Sequence, residues 1–214
     1  MTAKRRVAVL VSGSGTNLQA LINACQKPDF PAEIVLVISN RANAYALTRA
    51  AEAGIATHII PNREYASREA YDAALQDALV AAGIDIVCLA GFMRILTAGF
   101  VSQWEGRMLN IHPSLLPLFK GLHTHAQALE AKVRQAGCTV HFVEADLDAG
   151  PIILQAAVPV LPDDTAETLA ARVLVEEHKI YPQALRWLAE GRIALHGRKV
   201  LMDGKVIPAS GVTL

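Results

Sequence analysis

The chain has 214 residues, 52% of them hydrophobic and 19% charged, the proportions of one compact α/β-sized domain. Twenty Lys and Arg cancel twenty Asp and Glu, which leaves no basic footprint for a nucleic acid and no acidic tail, so a polyanionic partner is disfavoured. Cys25, Cys88 and Cys138 lie far apart in apolar stretches without metal or redox spacing and read as small buried thiols of a reducing compartment.

Lys4-Arg5-Arg6 followed by Val7–Val11 resembles the start of an export signal, but the apolar run stops at Ser12-Gly13-Ser14-Gly15 with no cleavage-type site. No apolar stretch approaches the roughly 20 residues of a membrane span. The expectation is a cytoplasmic protein with no membrane partner.

Val7–Val11, Ile34–Ile38, a weaker Thr57–Ile60 and Ile84–Ala90 are short β-branched runs whose continuous apolarity predicts strands covered on both faces. Between them, Thr16–Cys25 places Leu18, Leu21, Ile22 and Cys25 at helical spacing, and Ala42–Ala53 and Arg63–Ala82 are Ala-rich. After about residue 105, Arg107–His112 and Thr139–Glu144 alternate as strands around a helix near Ala126–Gln135, and Ile152–Val160 pairs back as a long hairpin. Asp164-x-x-Glu167 reads as a helix cap, and Asp203-Gly204 as a tight hairpin turn. These elements predict a Rossmann-like, doubly wound, mostly parallel sheet with an antiparallel C-terminal portion, one domain over residues 1–214.

Ser12-Gly13-Ser14-Gly15-Thr16-Asn17 ends the first strand and opens the first helix, where backbone N–H groups and the helix dipole favour an anion. It lacks the third glycine of a dinucleotide loop, and Ser39-Asn40 supplies no acid to hold a ribose, so a phosphate monoester is favoured over a dinucleotide or a purely structural turn. Gly15 reads as leaving room for the anion, in a conformation that glycine enters cheaply.

Strand period puts Asn110 and His112 on one face, about 7 Å apart, before Pro113. An amide and an imidazole side by side can hold a developing oxyanion, as acyl or formyl transfer requires, although two polar groups at a strand end also bond local backbone. The turn Glu144–Asp148 offers carboxylates that either orient an imidazole or are merely solvated. His112, His123, His125 and His141 are a weak metal-ligand pattern, and no metal is expected. Arg172, Glu176 and Lys179 read as a solvated helix face, whereas Glu177 falls in the apolar stripe of the last helix and needs either an ion-pair partner or a polar ligand.

Taken together, Ser12–Asn17, Leu89–Leu96, Asn110-Ile111-His112-Pro113-Ser114-Leu115-Leu116-Pro117, Gly121–His125, Asp148–Gln155 and Glu177–Pro182 closely resemble the phosphoribosylglycinamide formyltransferases, within the enzymes that use 10-formyltetrahydrofolate. The resemblance implies a purine-biosynthetic one-carbon transferase with formyl folate as cosubstrate and no metal. It places Asn110, His112 and Asp148 at catalytic positions, and Ser14, Gly15, Thr16, Asn17 and Glu177 at the ribonucleotide. It places Arg68, Met93, Arg94, Ile95, Leu96, Asn110, Glu144, Ala145 and Asp146 at the folate. It further implies an anion-binding half to about residue 105, a catalytic and folate-binding half over about 106–193, and a C-terminal hairpin over 194–214. The partners it implies are small molecules, with the chain acting as a monomer or homodimer. A formyltetrahydrofolate hydrolase using the same trio, and a non-catalytic nucleotide-binding module using only the anion loop, are the alternative readings.

Overall fold

The structure, a computed structural model, describes residues 3–213. Eleven strands and six α-helices succeed one another as β1 (Arg5–Val11), α1 (Thr16–Cys25), β2 (Ala32–Ser39), α2 (Tyr45–Glu52), β3 (Ala56–Ile59), α3 (Arg68–Ala81), β4 (Ile86–Leu89), α4 (Ala98–Gln103), β5 (Met108–His112), α5 (Thr124–Glu130), β6 (Gln135–Phe142), β7 (Ile152–Pro159), α6 (Ala166–Ala189), β8 (Ile193–His196), β9 (Lys199–Met202), β10 (Lys205–Val206) and β11 (Val212–Thr213). Eight strands form one sheet in the order β11-β7-β6-β5-β4-β1-β2-β3, and β10-β9-β8 form a second. The run from β3 to β5 is parallel; β6 pairs antiparallel with both β5 and β7. Because β1 feeds β2 on one side and lies against β4 on the other, the strand order reverses there and a crevice opens beyond the carboxyl ends of β1 and β4.

Strand period sorts the core into two layers. Val7, Val9 and Val11 face α1 and α6, packing with Leu18, Leu21, Val173 and Ile180, whereas Ala8 and Leu10 face α3 and α4, packing with Leu75, Leu79 and Phe100. The strand β3, at the sheet edge among the described residues, departs from the expectation of coverage on both faces: Ala56–Ile59 is exposed throughout, and only Ile60 just after it is buried. Cys88 and Cys138 are buried, but Cys25 is only partly so.

Several boundaries differ from the sequence reading for local reasons. Asn62–Glu64 makes a separate 3-10 turn, and α3 begins only at Arg68, where the Ser67 hydroxyl accepts from Ala70 N–H at 3.1 Å. The helix expected at Ala126–Gln135 is instead Thr124–Glu130; Lys132 turns left-handed at φ 52° and Gln135 is already in β6, opposite Pro159, so sheet pairing overrides local helix preference. The cap of α6 is Thr165, reciprocally bonded with Thr168, while the Asp164 carboxylate is held by both arms of Arg172 at 2.7 and 2.8 Å and by the Thr168 hydroxyl at 2.9 Å. Arg172 is therefore an ion-pair partner and not simply solvated. The Asp203-Gly204 turn joins β9 and β10 as the sequence suggests. No helix among the described residues is long and apolar enough to cross a membrane.

Candidate active site

The crevice is a cavity of about 740 Å³ that takes in Asn17, Met93–Leu96, Asn110, His112, His141, Glu144–Asp148 and Glu177. They reach it from strands, helices and turns. β5 delivers Asn110 and His112, and β6 delivers His141, the cross-strand partner of Asn110 in the antiparallel register. Asp148 comes from the turn after β6, and Glu177 from the middle of α6, whose Tyr181 hydroxyl shares its proton between Leu89 O and Leu109 O and so fixes the helix to β4 and β5.

Hydrogen bonding assigns the donors. His141 Nδ1 lies 2.8 Å from Phe142 O; a carbonyl only accepts, so Nδ1 carries the proton. Burial pushes the His141 pKa down to about 4, so the ring is neutral and its Nε2 is an acceptor. The Asn110 atom 3.1 Å from that Nε2 must then be the amide nitrogen, which uses one N–H on His141 and keeps the other for a ligand. His112 is 4% exposed, with Nε2 2.9 Å from Phe119 O and Nδ1 3.5 Å from Asp148 Oδ2, so both ring nitrogens face acceptors. Asp148 Oδ2 also accepts from Gly121 N–H at 2.9 Å, and Oδ1 lies 3.9 Å from His141.

Glu177 makes no ion pair among the described residues. Its carboxylate, 7% exposed, accepts from Asn17 Nδ2 at 2.6 Å, and burial raises its pKa. The ion-pair alternative is thereby replaced by an amide tie to the anion loop. The N-terminus of α1 carries no side-chain cap and no acid in its first turn, which leaves its backbone N–H groups available to an anion, and Arg49 Nε donates to Ser14 O at 2.9 Å. Gly15 has φ 72°, and a Cβ there would sit 2.6 Å from Ala46 Cβ. Close packing against α2 and a left-handed backbone thus both call for glycine here.

Not all the expected residues meet. Ser14, Gly15 and Thr16 lie outside the cavity lining, and Thr16 opens onto a separate groove of about 640 Å³ between α1 and α6, with Arg49 and His178. Arg68 is also outside it, its guanidinium donating to Leu96 O at 3.1 Å, while Arg94 lines the cavity and lies over the Tyr71 ring at 4.1 Å. The Ser12 hydroxyl, buried, donates to Asn40 Oδ1 at 2.6 Å and accepts from Met93 N–H at 2.8 Å, joining the anion loop to the Met93–Leu96 wall. Sequence reasoning weighed His141 only as a possible metal ligand; its pairing with Asn110 follows from strand register alone. Among the described residues, no group of three or more His, Cys, Asp or Glu is placed to hold a metal ion.

A Rossmann-like sheet whose crevice presents an Asn-x-His strand end beside an aspartate-bearing turn is the architecture of a folate-type formyl-group transferase, and residues 5–185 match the formyl transferase family model: the chain belongs to that family. It is 49% identical to the phosphoribosylglycinamide formyltransferase of Escherichia coli (strain K12), over 96% of this chain and 97% of that one. It is 55% identical over 192 residues to the human trifunctional purine biosynthetic protein adenosine-3, covering 90% of this chain but 19% of that protein, so it spans about a fifth of such relatives. The solved phosphoribosylglycinamide formyltransferase of Coxiella burnetii superposes with a TM-score of 0.95 at 50% identity, over 99% of each chain.

Proposed function

We propose that this protein transfers the formyl group of 10-formyltetrahydrofolate to the primary amine of 5'-phosphoribosylglycinamide, yielding the N-formyl ribonucleotide and tetrahydrofolate for purine synthesis in the cytoplasm. The observation that carries the reading is the convergence on one cavity of the Asn110 amide, His112 and Asp148, with the bonded pair Glu177 and Asn17 also lining it.

The amine attacks the formyl carbon, its lone pair forming the new C–N bond while the carbonyl pair moves onto oxygen. Asn110 donates its free amide N–H to that oxygen, and His112 donates its Nε2–H as that proton turns from Phe119 O to the ligand, with Nδ1 kept toward Asp148. Asp148, held by Gly121 N–H and facing His112, orients the imidazole and receives the proton that the amine loses, directly or through water. The tetrahedral species collapses as the carbonyl re-forms and the C–N10 bond breaks, N10 leaving with a proton, so one proton passes overall from the amine to the folate nitrogen. The uncapped α1 N-terminus with Ser14–Asn17 holds the ribonucleotide phosphate and Glu177 its polar groups. Met93–Leu96, Arg68, Arg94 and the Glu144–Asp146 backbone hold the folate. The domain works as an anion-binding half to about residue 105 and a catalytic half to about 193, and small molecules are its partners; the balanced charge disfavours nucleic acid.

Incubation with labelled formyl folate, with and without phosphoribosylglycinamide, tests this. Label should reach the amine, and folate should be released only when the acceptor is present. Release without acceptor at the same rate would make the protein a hydrolase, and no release would make it a binder.

A further inference from the structure

We propose that Arg198, at the tip of the β8–β9 hairpin, is a positioning residue for Asp148: it straps together the two ends of the turn that carries the aspartate. The proposal rests on the formyl-transfer reading of the site. One guanidinium nitrogen, Nη1, binds the Glu144 carboxylate where the turn begins, and the other, Nη2, donates to Ala149 O where it ends, at 3.1 Å. Asp148 lies between those two points. Both its side-chain oxygens face the histidines, and its backbone is left-handed at φ 48°, unfavourable for a residue other than glycine. From within, the turn is held by a long backbone bond, Ala149 N–H to Asp146 O at 3.3 Å.

The hairpin is a firm base for such a strap. Ile193 and Val200 are buried in the core, at 2% and 4% exposure. Arg192 grips Asp203 with both arms at 3.0 and 2.8 Å, and Asp203 N–H returns to Arg192 O at 2.7 Å. The planar guanidinium presents donors on two nitrogens at fixed separation, whereas a lysine ammonium is a single centre with rotatable donors and spans the two acceptors less well. The Arg198 side chain is 70% exposed, so the contact contributes little to global stability and its consequence falls on the geometry of the turn. The Glu144 carboxylate is thereby committed to Arg198, which leaves its backbone for the folate.

The test uses the full chain with Arg198→Ala and Arg198→Lys, each in the wild-type and Asp148→Asn backgrounds, measuring kcat, KM and thermal unfolding. Arg198→Ala should lower kcat about tenfold, less than the hundredfold that a misplacement of 1 Å can cost, with unchanged unfolding. Arg198→Lys should be intermediate. In the Asp148→Asn background, neither should lower kcat further, since the residue acts through Asp148. A kcat within twofold of wild type, or the same loss in both backgrounds, overturns the proposal. Hydrogen exchange of the 144–150 amides provides a readout that needs no turnover: it should quicken in Arg198→Ala, and unchanged protection would refute the strap even if the formyl-transfer reading itself had failed.

Discussion

Replacing Asn110 with Asp keeps the shape of the side chain and reverses its hydrogen-bonding character. In the native site one amide N–H serves His141 Nε2 at 3.1 Å and the other remains for the ligand. The carboxylate supplies neither, and loss of one oxyanion donor costs about 10²–10³ in kcat, or roughly 3–4 kcal/mol. It also sets an anionic oxygen against the lone pair of a neutral, fully buried imidazole. That conflict is relieved when the introduced carboxyl and His141 share a proton, so His141 should titrate above its native value of about 4. Where the ring stays neutral, the unmet pairing should cost about 1–3 kcal/mol of stability. For a domain of this size that lowers Tm by about 3–10 °C. Single-turnover formyl transfer, calorimetric unfolding at pH 8 and NMR titration of His141 would read the three effects. Asn110→Ala should share the loss of turnover without the rise in the His141 pKa. An Asn110→Asp variant keeping a third or more of wild-type turnover, or leaving the His141 titration unmoved, would refute this assignment of donors.

Gly15→Ala should destabilise the protein by about 2–4 kcal/mol through a left-handed non-glycine backbone and a Cβ 2.6 Å from Ala46, seen as a lower Tm even without ligand; unchanged stability would mean that the loop relaxes freely. Acid should weaken the fold through His141. The unfolded chain takes up that proton near pH 6.5 and the folded one near 4, so the unfolded state binds more protons between these values and stability falls as pH drops through that window. Denaturant midpoints from pH 7 to 4 should therefore slope less in His141→Gln, and parallel profiles would remove His141 as a source of the dependence.

What the sequence made legible was periodic. Alternation put Asn110 and His112 on one face of a strand, and the helical stripe exposed Glu177 as a carboxylate among apolar residues. The partners of these groups depended on tertiary register. Asn17 meets Glu177 across 160 positions, and Asn110 meets His141 only because β5 and β6 run antiparallel in one alignment. The local sequence marks Gly15 as a turn glycine, but its contact with Ala46 depends on how α2 packs. Arg198 carries no local signal at all, being one basic residue in a hairpin turn until the fold lays it across the Glu144–Ala149 ends. The cap of α6 fell one residue later than the sequence suggests, on Thr165, with Asp164 paired to Arg172 beside it.

The most direct measurement is the rate at which labelled formyl passes to phosphoribosylglycinamide in a single turnover, compared between the wild-type protein and His112→Ala at saturating ligands. On giving up Phe119 O, the Nε2–H of the buried imidazole is expected to supply an oxyanion donor while Asp148 holds Nδ1, so its loss should slow transfer about 10²-fold or more while both ligands still bind and the chain stays folded. Transfer at near wild-type rate by the folded variant would contradict the account.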